Sequence, residues 1–315
     1  VRGSGIRLGR AAALLACALV LASCQPGQPA AGPPASGTPP GTVVVASFNF
    51  PESELLAAIY GLAVQHAGIP VRLELNLGPR ELVQPALEQG LVDLVPEYLG
   101  TALTSLDPAQ ATPVSKPAAV RSALARALSR WQVRVLTPAA AQDQNAVVVT
   151  GSTARRLRLH TVSDLRRVAG GLIVGGPPEC PGRPYCLPGL RSAYGLRFAR
   201  FLPFDTEQQR VIALQDGVVN VAVLFSTDGN LASGGLVMLA DDRHLQPAEN
   251  VVPVIRADVI TRYGQRASSA VDAVSARLTS AQLTFLNWRV QVDGKDALAE
   301  ARGWLQRQGI LPRTG

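Results

Sequence analysis

The run Asp93-Leu94-Val95-Pro96-Glu97-Tyr98-Leu99-Gly100-Thr101 decides how this chain is read. An apolar strand from Val92 to Val95 stops at a proline, an aromatic ring follows on the loop, and a Gly-Thr pair suited to opening a helix comes next. That is the form of a ligand site at the carboxyl end of a strand in an α/β sheet.

Outward from this run, strands and helices alternate. Val43 to Ala46 reads as a buried strand and Pro51 to Ala67 as a helix with Leu55, Leu56, Ile59, Leu62 and Ala63 on its apolar face. Val71 to Leu77 is a second strand, and Arg80 to Gln89 a helix closed by Gly90. A helix over Lys116 to Trp131 and strands at Val133 to Leu136 and Ala146 to Thr150 lead into a second alternating set. Its helices fall at Ser163 to Val168, Leu187 to Tyr194 and Thr206 to Leu214, and its strands at Gly171 to Val174, Val219 to Phe225 and Leu236 to Leu239. Val251 to Ile255 is a returning strand, and the chain ends in helices over Ala267 to Leu278, Ser280 to Val290 and Asp296 to Gln308. Such spacing predicts two α/β units with largely parallel sheets.

The 315 residues, 47% of them hydrophobic, have room for two cores. The formal charge of +7 does not make a nucleic-acid binder, because Arg2, Arg7 and Arg10 lie in a leader and no basic stripe with interleaved aromatics follows. Those arginines precede an apolar segment from Ala11 to Ala22, too short for the ~20 residues that span a bilayer. Leu21-Ala22-Ser23-Cys24 then resembles the lipobox of bacterial lipoproteins, which implies a signal peptide over 1–23, a lipid on Cys24 and a membrane-tethered, extracytoplasmic protein. Residues 24–41, nearly all Pro, Gly, Ala, Ser, Thr and Gln, read as a flexible tether. In an exported protein Cys180 and Cys186 are expected to form a local disulfide, since zinc needs about four ligands and no histidine is near.

The opening run resembles the "DLYPEYTGT" signature of the glycine betaine, choline and carnitine binding proteins of bacterial ABC importers, the osmoprotectant family. The likeness extends in order along the mature chain. Ser47-Phe48-Asn49-Phe50 with Glu52 is similar to "SKNFTE", and Asn76-Leu77-Gly78 to "NLG". Glu179, Arg183 and Leu187-Pro188-Gly189-Leu190 match "E...R....LPGL", and Leu224 to Gly229 is close to "VYSTDG". The resemblance implies a type II periplasmic-binding-protein-like fold of two lobes, each a mixed, mostly parallel sheet flanked by helices. It places lobe I at 42–145 and 250–315 and lobe II at 146–249.

It also implies a site in the interlobe cleft. A quaternary ammonium cannot donate hydrogen bonds and is held by aromatic faces, whereas a carboxylate on the same ligand needs donors. Tyr98 inherits one wall of the aromatic cage, Asp143 the acidic place beside it, and Thr101 and Arg183 the carboxylate end. Three further cage tyrosines are replaced, by Asn145, Phe225 and Glu249, and the family's lysine after the first strand is Phe48. Phe225 keeps a π face; Asn145 and Glu249 do not. Arg183 and Glu249 each read equally as solvated loop residues, and Ser47 and Asn49 either line the cleft or shape the loop. Ser226, Thr227 and Asp228 donate to ligand or cap the next helix. The expected partners are a quaternary ammonium solute and separate ABC permease and ATPase chains, with no cofactor, metal or nucleic acid. Two readings stay open beside this one, a different small cationic or zwitterionic solute and a non-transport sensor or surface binding module. His66, His160 and His244 belong to no catalytic constellation, so no enzyme is expected.

Overall fold

The computed structural model describes residues 41–110 and 116–313. The expected signal peptide, the lipobox at Cys24 and the tether up to residue 40 lie outside these residues. Among those described, the chain lays down β1 (Val43–Ala46), α1 (Pro51–His66), β2 (Val71–Glu74), α2 (Arg80–Glu88), β3 (Leu94–Tyr98), α3 (Leu99–Leu106), α4 (Pro117–Leu128) and β4 (Val133–Val135). It then crosses to β5 (Asn145–Thr150), α5 (Gly151–Leu157), β6 (Ile173–Gly176), α6 (Leu187–Tyr194), β7 (Arg200–Pro203), α7 (Glu207–Gln215), β8 (Val221–Phe225), α8 (Gly229–Ala232) and β9 (Leu236–Met238). β10 (Val251–Arg256) returns, followed by α9 (Ala257–Tyr263), α10 (Gln265–Ser275), α11 (Ser280–Gln291) and α12 (Ala297–Arg307).

The strands form two five-stranded sheets of matching plan, β2-β1-β3-β10-β4 and β7-β6-β8-β5-β9. In each, four strands run one way and the fourth in order runs against them. Those antiparallel members, β10 and β5, are the strands that enter each sheet after the chain has crossed from the other. Period-two alternation sorts the second sheet's side chains: Val147, Val149, Val221 and Val223 join one core, and Ala146, Val148, Ala222 and Leu224 the other.

The opening run folds differently from its local reading at one point. β3 does not stop at Pro96 but continues through Glu97 to Tyr98. The reason lies across the sheet, where Pro96 sits directly opposite Pro253 of β10. Every second pair of an antiparallel ladder exchanges no backbone hydrogen bonds, and a Pro–Pro pair can only be of that kind. Helix α1 also departs from expectation, being buried from Glu52 through Val64 on every side rather than along one face. It lies between the first sheet and the terminal helices α10, α11 and α12, so Ala57, Ala58 and Tyr60 are inside as well. Full burial of Leu55, Leu56 and Ile59 contributes roughly 1.5–3 kcal/mol each, and the one polar tip, Tyr60 Oη, meets Ser275 Oγ at 3.0 Å.

Three elements had no counterpart in the sequence reading: α5, β7 and α9. The segment Val162–Arg167 is a 3-10 helix with a Thr161/Asp164 capping box. Among the described residues no helix is long and apolar enough to cross a membrane.

Candidate ligand-binding site

A cleft of ~720 Å3 opens between the two sheets at the carboxyl ends of β3 and β8, the strands in third place in each. Phe50, which no motif had marked as a contact, stands at its centre. Its ring centroid is 6.2 Å from that of Tyr98, 5.1 Å from Phe225 and 6.0 Å from Phe48. Tyr98 is buried and Phe225 half-buried, and with Phe50 they bring aromatic faces together from both sheets. Such faces attract a cation, each worth about 0.5–2 kcal/mol.

Buried acids lie under the rings. Glu52, at the start of α1, accepts from Tyr98 Oη at 2.7 Å and also from Thr227 Oγ1 and Asn287 Nδ2. One carboxylate therefore ties β3, the loop after β8 and α11 together. Asp143 Oδ1 accepts from Ser226 Oγ and the Thr227 N–H, both at 3.1 Å. Burial pushes Glu52 up, and bonds from Thr227, Tyr98, Asn287 and Asp143 draw it back; Asp143 is held well above the usual carboxylate range by burial and by the charge of Glu52. The two buried acids titrate as a coupled pair, and burial together with their mutual repulsion disfavours ionising both. Burial likewise pushes Glu207 and Glu249 up to about 8. Glu207 Oε2 accepts from Gln291 Nε2 at 2.8 Å.

Two glycines permit these approaches. A Cβ on Gly100 would come within 2.3 Å of Pro247 Cγ, so only glycine lets the segment before β10 lie on the first turn of α3. That contact delivers Glu249, whose Oε2 accepts from Gly100 N at 3.1 Å, Thr101 N at 3.2 Å and Thr101 Oγ1 at 3.4 Å. A Cβ on Gly229 would come within 2.4 Å of Trp288 Cα, so α8 of the second lobe rests on α11 of the first.

The expected site residues divide into two groups. Tyr98, Thr101, Asp143, Asn145, Phe225 and Glu249 all line the cleft, with Asn49 exposed on its wall. Ser47 does not line it: fully buried, it accepts from the Asn76 N–H at 2.7 Å and donates to Phe48 O, fixing the turn after β1. Arg183 lines the cleft one-third exposed, but its Nη2 binds Glu81 at 3.0 Å and Glu179 at 3.7 Å, so it pins α2 of the first lobe to the second. Asn145 Nδ2 is turned to Gln246 Oε1 and Tyr185 O, at 3.1 and 3.3 Å. Asp228 caps α8, accepting from Asn230 N at 2.8 Å, while Ser226 and Thr227 serve the buried acids.

Sequence reasoning missed three cleft residues, Phe50, Arg80 and Tyr185, and the buried Glu52 beneath them. Phe50 and Glu52 were quoted in a motif without a role. Tyr185, in the loop closed by the Cys180–Cys186 disulfide, is buried and receives a hydrogen bond from Thr104 Oγ1 at 3.0 Å, so it too joins the lobes. Arg80 lies 5.0 Å over the ring of Phe48 and gives Nε and Nη2 to Glu97 at 3.1 and 2.8 Å. A guanidinium thus stands on the ring that replaces the family's lysine, already matched by its own carboxylate.

Two α/β lobes over a cleft lined by rings and acids define a solute-binding protein, and comparison with known proteins gives the family. Residues 41–307 match the substrate binding domain of ABC-type glycine betaine transport systems, and the chain belongs to that family. It is 28% identical over 268 residues to the glycine betaine-binding protein YehZ of Escherichia coli, covering 82% of this chain and 88% of that one. It is also 28% identical over 284 residues to a glycine-betaine-binding protein of Pseudomonas aeruginosa, covering 86% and 89%. The crystal structure of a glycine betaine/carnitine/choline ABC transporter protein superimposes with a TM-score of 0.68 at 23% identity, over 85% of this chain and 99% of that one. The fold is the type II periplasmic-binding-protein architecture, and the protein is a substrate-binding component of an ABC importer.

Proposed function

We propose that this protein captures a small quaternary ammonium osmoprotectant, of the glycine betaine, choline or carnitine type, in the cleft and hands it to a membrane permease driven by an ATPase. The observation that carries this reading is the meeting of Tyr98, Phe50 and Phe225 across the cleft beside Asp143 and above Glu52. An ammonium without N–H groups gains from ring faces and from nearby negative charge, and both are supplied here in one place.

The ligand closes the two lobes by touching both, Tyr98 and Phe50 from residues 42–145 and 250–315, Phe225 from 146–249. A lipid on Cys24 holds the protein on the extracytoplasmic face beside its permease. Calorimetric titration with glycine betaine, choline, carnitine, proline betaine and a primary amine tests the reading. Binding of at least one quaternary ammonium is expected. Silence to all of them, with the amine bound, would replace the osmoprotectant by an N–H-bearing cation.

A further inference from the structure

The first turn of α3 points its backbone N–H groups into the cleft, which makes it the natural seat for an anionic group. The chain has filled that seat itself. Glu249, 1% exposed and 149 positions away from Gly100, takes the Gly100 and Thr101 N–H groups and the Thr101 hydroxyl on Oε2. It is held there by backbone bonds on either side, Asp143 N to Glu249 O at 3.1 Å and Leu99 N to Asn250 O at 3.2 Å. Its other oxygen, Oε1, is buried with no protein partner, on a residue that lines the cleft.

Three of the four arginines on the cleft wall are meanwhile committed, and the fourth, Arg130, is exposed and lies over the ring of Trp131 at 3.7 Å. Arg80 is bound twice to Glu97, and Arg183 to Glu81 and Glu179. Arg210 gives Nη1 to Phe204 O, and although its Nε has no partner, the charges of Glu207 and Asp228 stand against it. What is left unpaired beside the cleft is the buried Glu249 Oε1, next to the helix start where a ligand carboxylate would need a donor.

Resting on the reading that the cleft takes a quaternary ammonium, we infer that Glu249 selects within that class. With one oxygen it occupies the anion seat, and with the other it meets the ligand's hydroxyl or positive charge, so the site takes an ammonium alcohol such as choline in preference to an ammonium carboxylate such as glycine betaine or carnitine. A carboxylate brought to this spot would find the helix donors taken by Glu249 and, once Glu249 is ionised above its pKa of about 8, would also face an acceptor oxygen.

The test is calorimetric titration of the purified chain with choline, glycine betaine and tetramethylammonium, which carries neither hydroxyl nor carboxylate. The wild type is expected to bind choline at least tenfold more tightly than glycine betaine. Glu249→Ala, which vacates the seat, should shift that ratio toward glycine betaine by at least tenfold. Glu249→Gln keeps the shape, guards against a folding failure of the alanine variant, and should weaken choline with an unchanged melting temperature. Glycine betaine binding as tightly as choline, or a ratio indifferent to both substitutions, overturns the inference while leaving the quaternary ammonium reading intact. Failure of tetramethylammonium and choline alike removes that reading, and the inference with it.

Discussion

Strands β3 and β8 hold the same place in sheets of the same plan, and both end in an aromatic ring at the cleft. Beyond the rings they part. Tyr98 gives its hydroxyl to Glu52, and the helix after it gives its first N–H groups to Glu249, acids 46 and 149 positions away. Phe225 has no hydroxyl to place, and the short helix after it is capped by its own Asp228. Both ends are thus fixed by long-range polar bonds, that of β3 through its ring hydroxyl and helix N–H groups to acids, that of β8 through Thr227 to Glu52 and Asn287 and through the Gly229 N–H to Gln291 Oε1 at 2.6 Å; what β8 adds is a local side-chain cap on its helix.

The sharpest way to break this comparison is to remove each ring. Tyr98→Ala deletes a buried aromatic and strips Glu52 of a donor, so it should cost about 3–5 kcal/mol of stability and weaken ligand at least tenfold, about 1.4 kcal/mol. Tyr98→Phe keeps the ring and isolates the hydroxyl, at about 1–3 kcal/mol. Phe225→Ala removes a half-buried ring with no polar duty, and should cost only about 1 kcal/mol of stability while still weakening ligand. Denaturant melts and titrations of the three variants check this order, and equal stability losses at positions 98 and 225 would erase the asymmetry.

The ends of β3 and β8 each also have a buried acid with a pKa near 8 beside them, Glu249 and Glu207. Burial raises both above the unfolded value of 4.5, so the folded protein binds more protons than the unfolded chain between about pH 4.5 and pH 8. Their contribution is fully present below that window and is lost as pH rises through it. Stability of the ligand-free protein should therefore fall from pH 5 toward pH 8, and Glu207→Gln should flatten the slope by up to about 1.4 kcal/mol per pH unit. A variant with the wild-type slope would mean that Gln291 and Arg210 keep Glu207 ionised.

How much of this was legible beforehand follows the same division between local and distant causes. The strand, ring and helix start around Tyr98 are written in nine consecutive residues, and the alternation of elements exposes two α/β lobes. The end of β3 was misread because the proline that accommodates Pro96 is Pro253, reached only across the sheet. Edge strand β7 has three partly or fully exposed residues before a closing proline and pairs only with β6, leaving little pattern to see. In the site, Tyr98, Phe225 and Asp143 were found because each sits at a strand end or in a motif. Phe50, Glu52, Arg80 and Tyr185 owe their roles to partners dozens of residues away, and no local pattern announces such contacts. Arg183 was placed at the cleft correctly but is held there by Glu81, a helix residue of the other lobe.

Thr227 tests one of the polar bonds that tie the β8 end to residues far away in the chain. Its hydroxyl donates to Glu52 across the lobes, and its backbone N–H donates to Asp143. Thr227→Val keeps the volume and the N–H but leaves Glu52 one donor short, which should cost about 1–3 kcal/mol. Because burial raises the pKa of Glu52, its carboxylate depends less on the Thr227 donor as pH falls, and the loss should be smaller at acid pH. Thermal melts at pH 5 and pH 8 would show the difference, and a loss independent of pH would assign Thr227 to packing alone.

The smallest effect is expected at the cleft mouth, from the ion pair between Arg183 and Glu81. Its side chains are 33% and 55% exposed, so water and salt screen the attraction, and such pairs are worth about 0–1 kcal/mol. Were Arg183 a ligand donor, removing it would cost as much affinity as removing Tyr98, because a ligand carboxylate would lose its guanidinium. With the guanidinium committed to Glu81 and Glu179, Arg183→Ala should instead shift ligand affinity less than about threefold, and a double-mutant cycle with Glu81→Ala should return a coupling within about 1 kcal/mol that fades in high salt. A tenfold loss confined to carboxylate-bearing ligands would show that Arg183 leaves Glu81 when the lobes close, and would move part of the specificity from the β3 end into the second lobe.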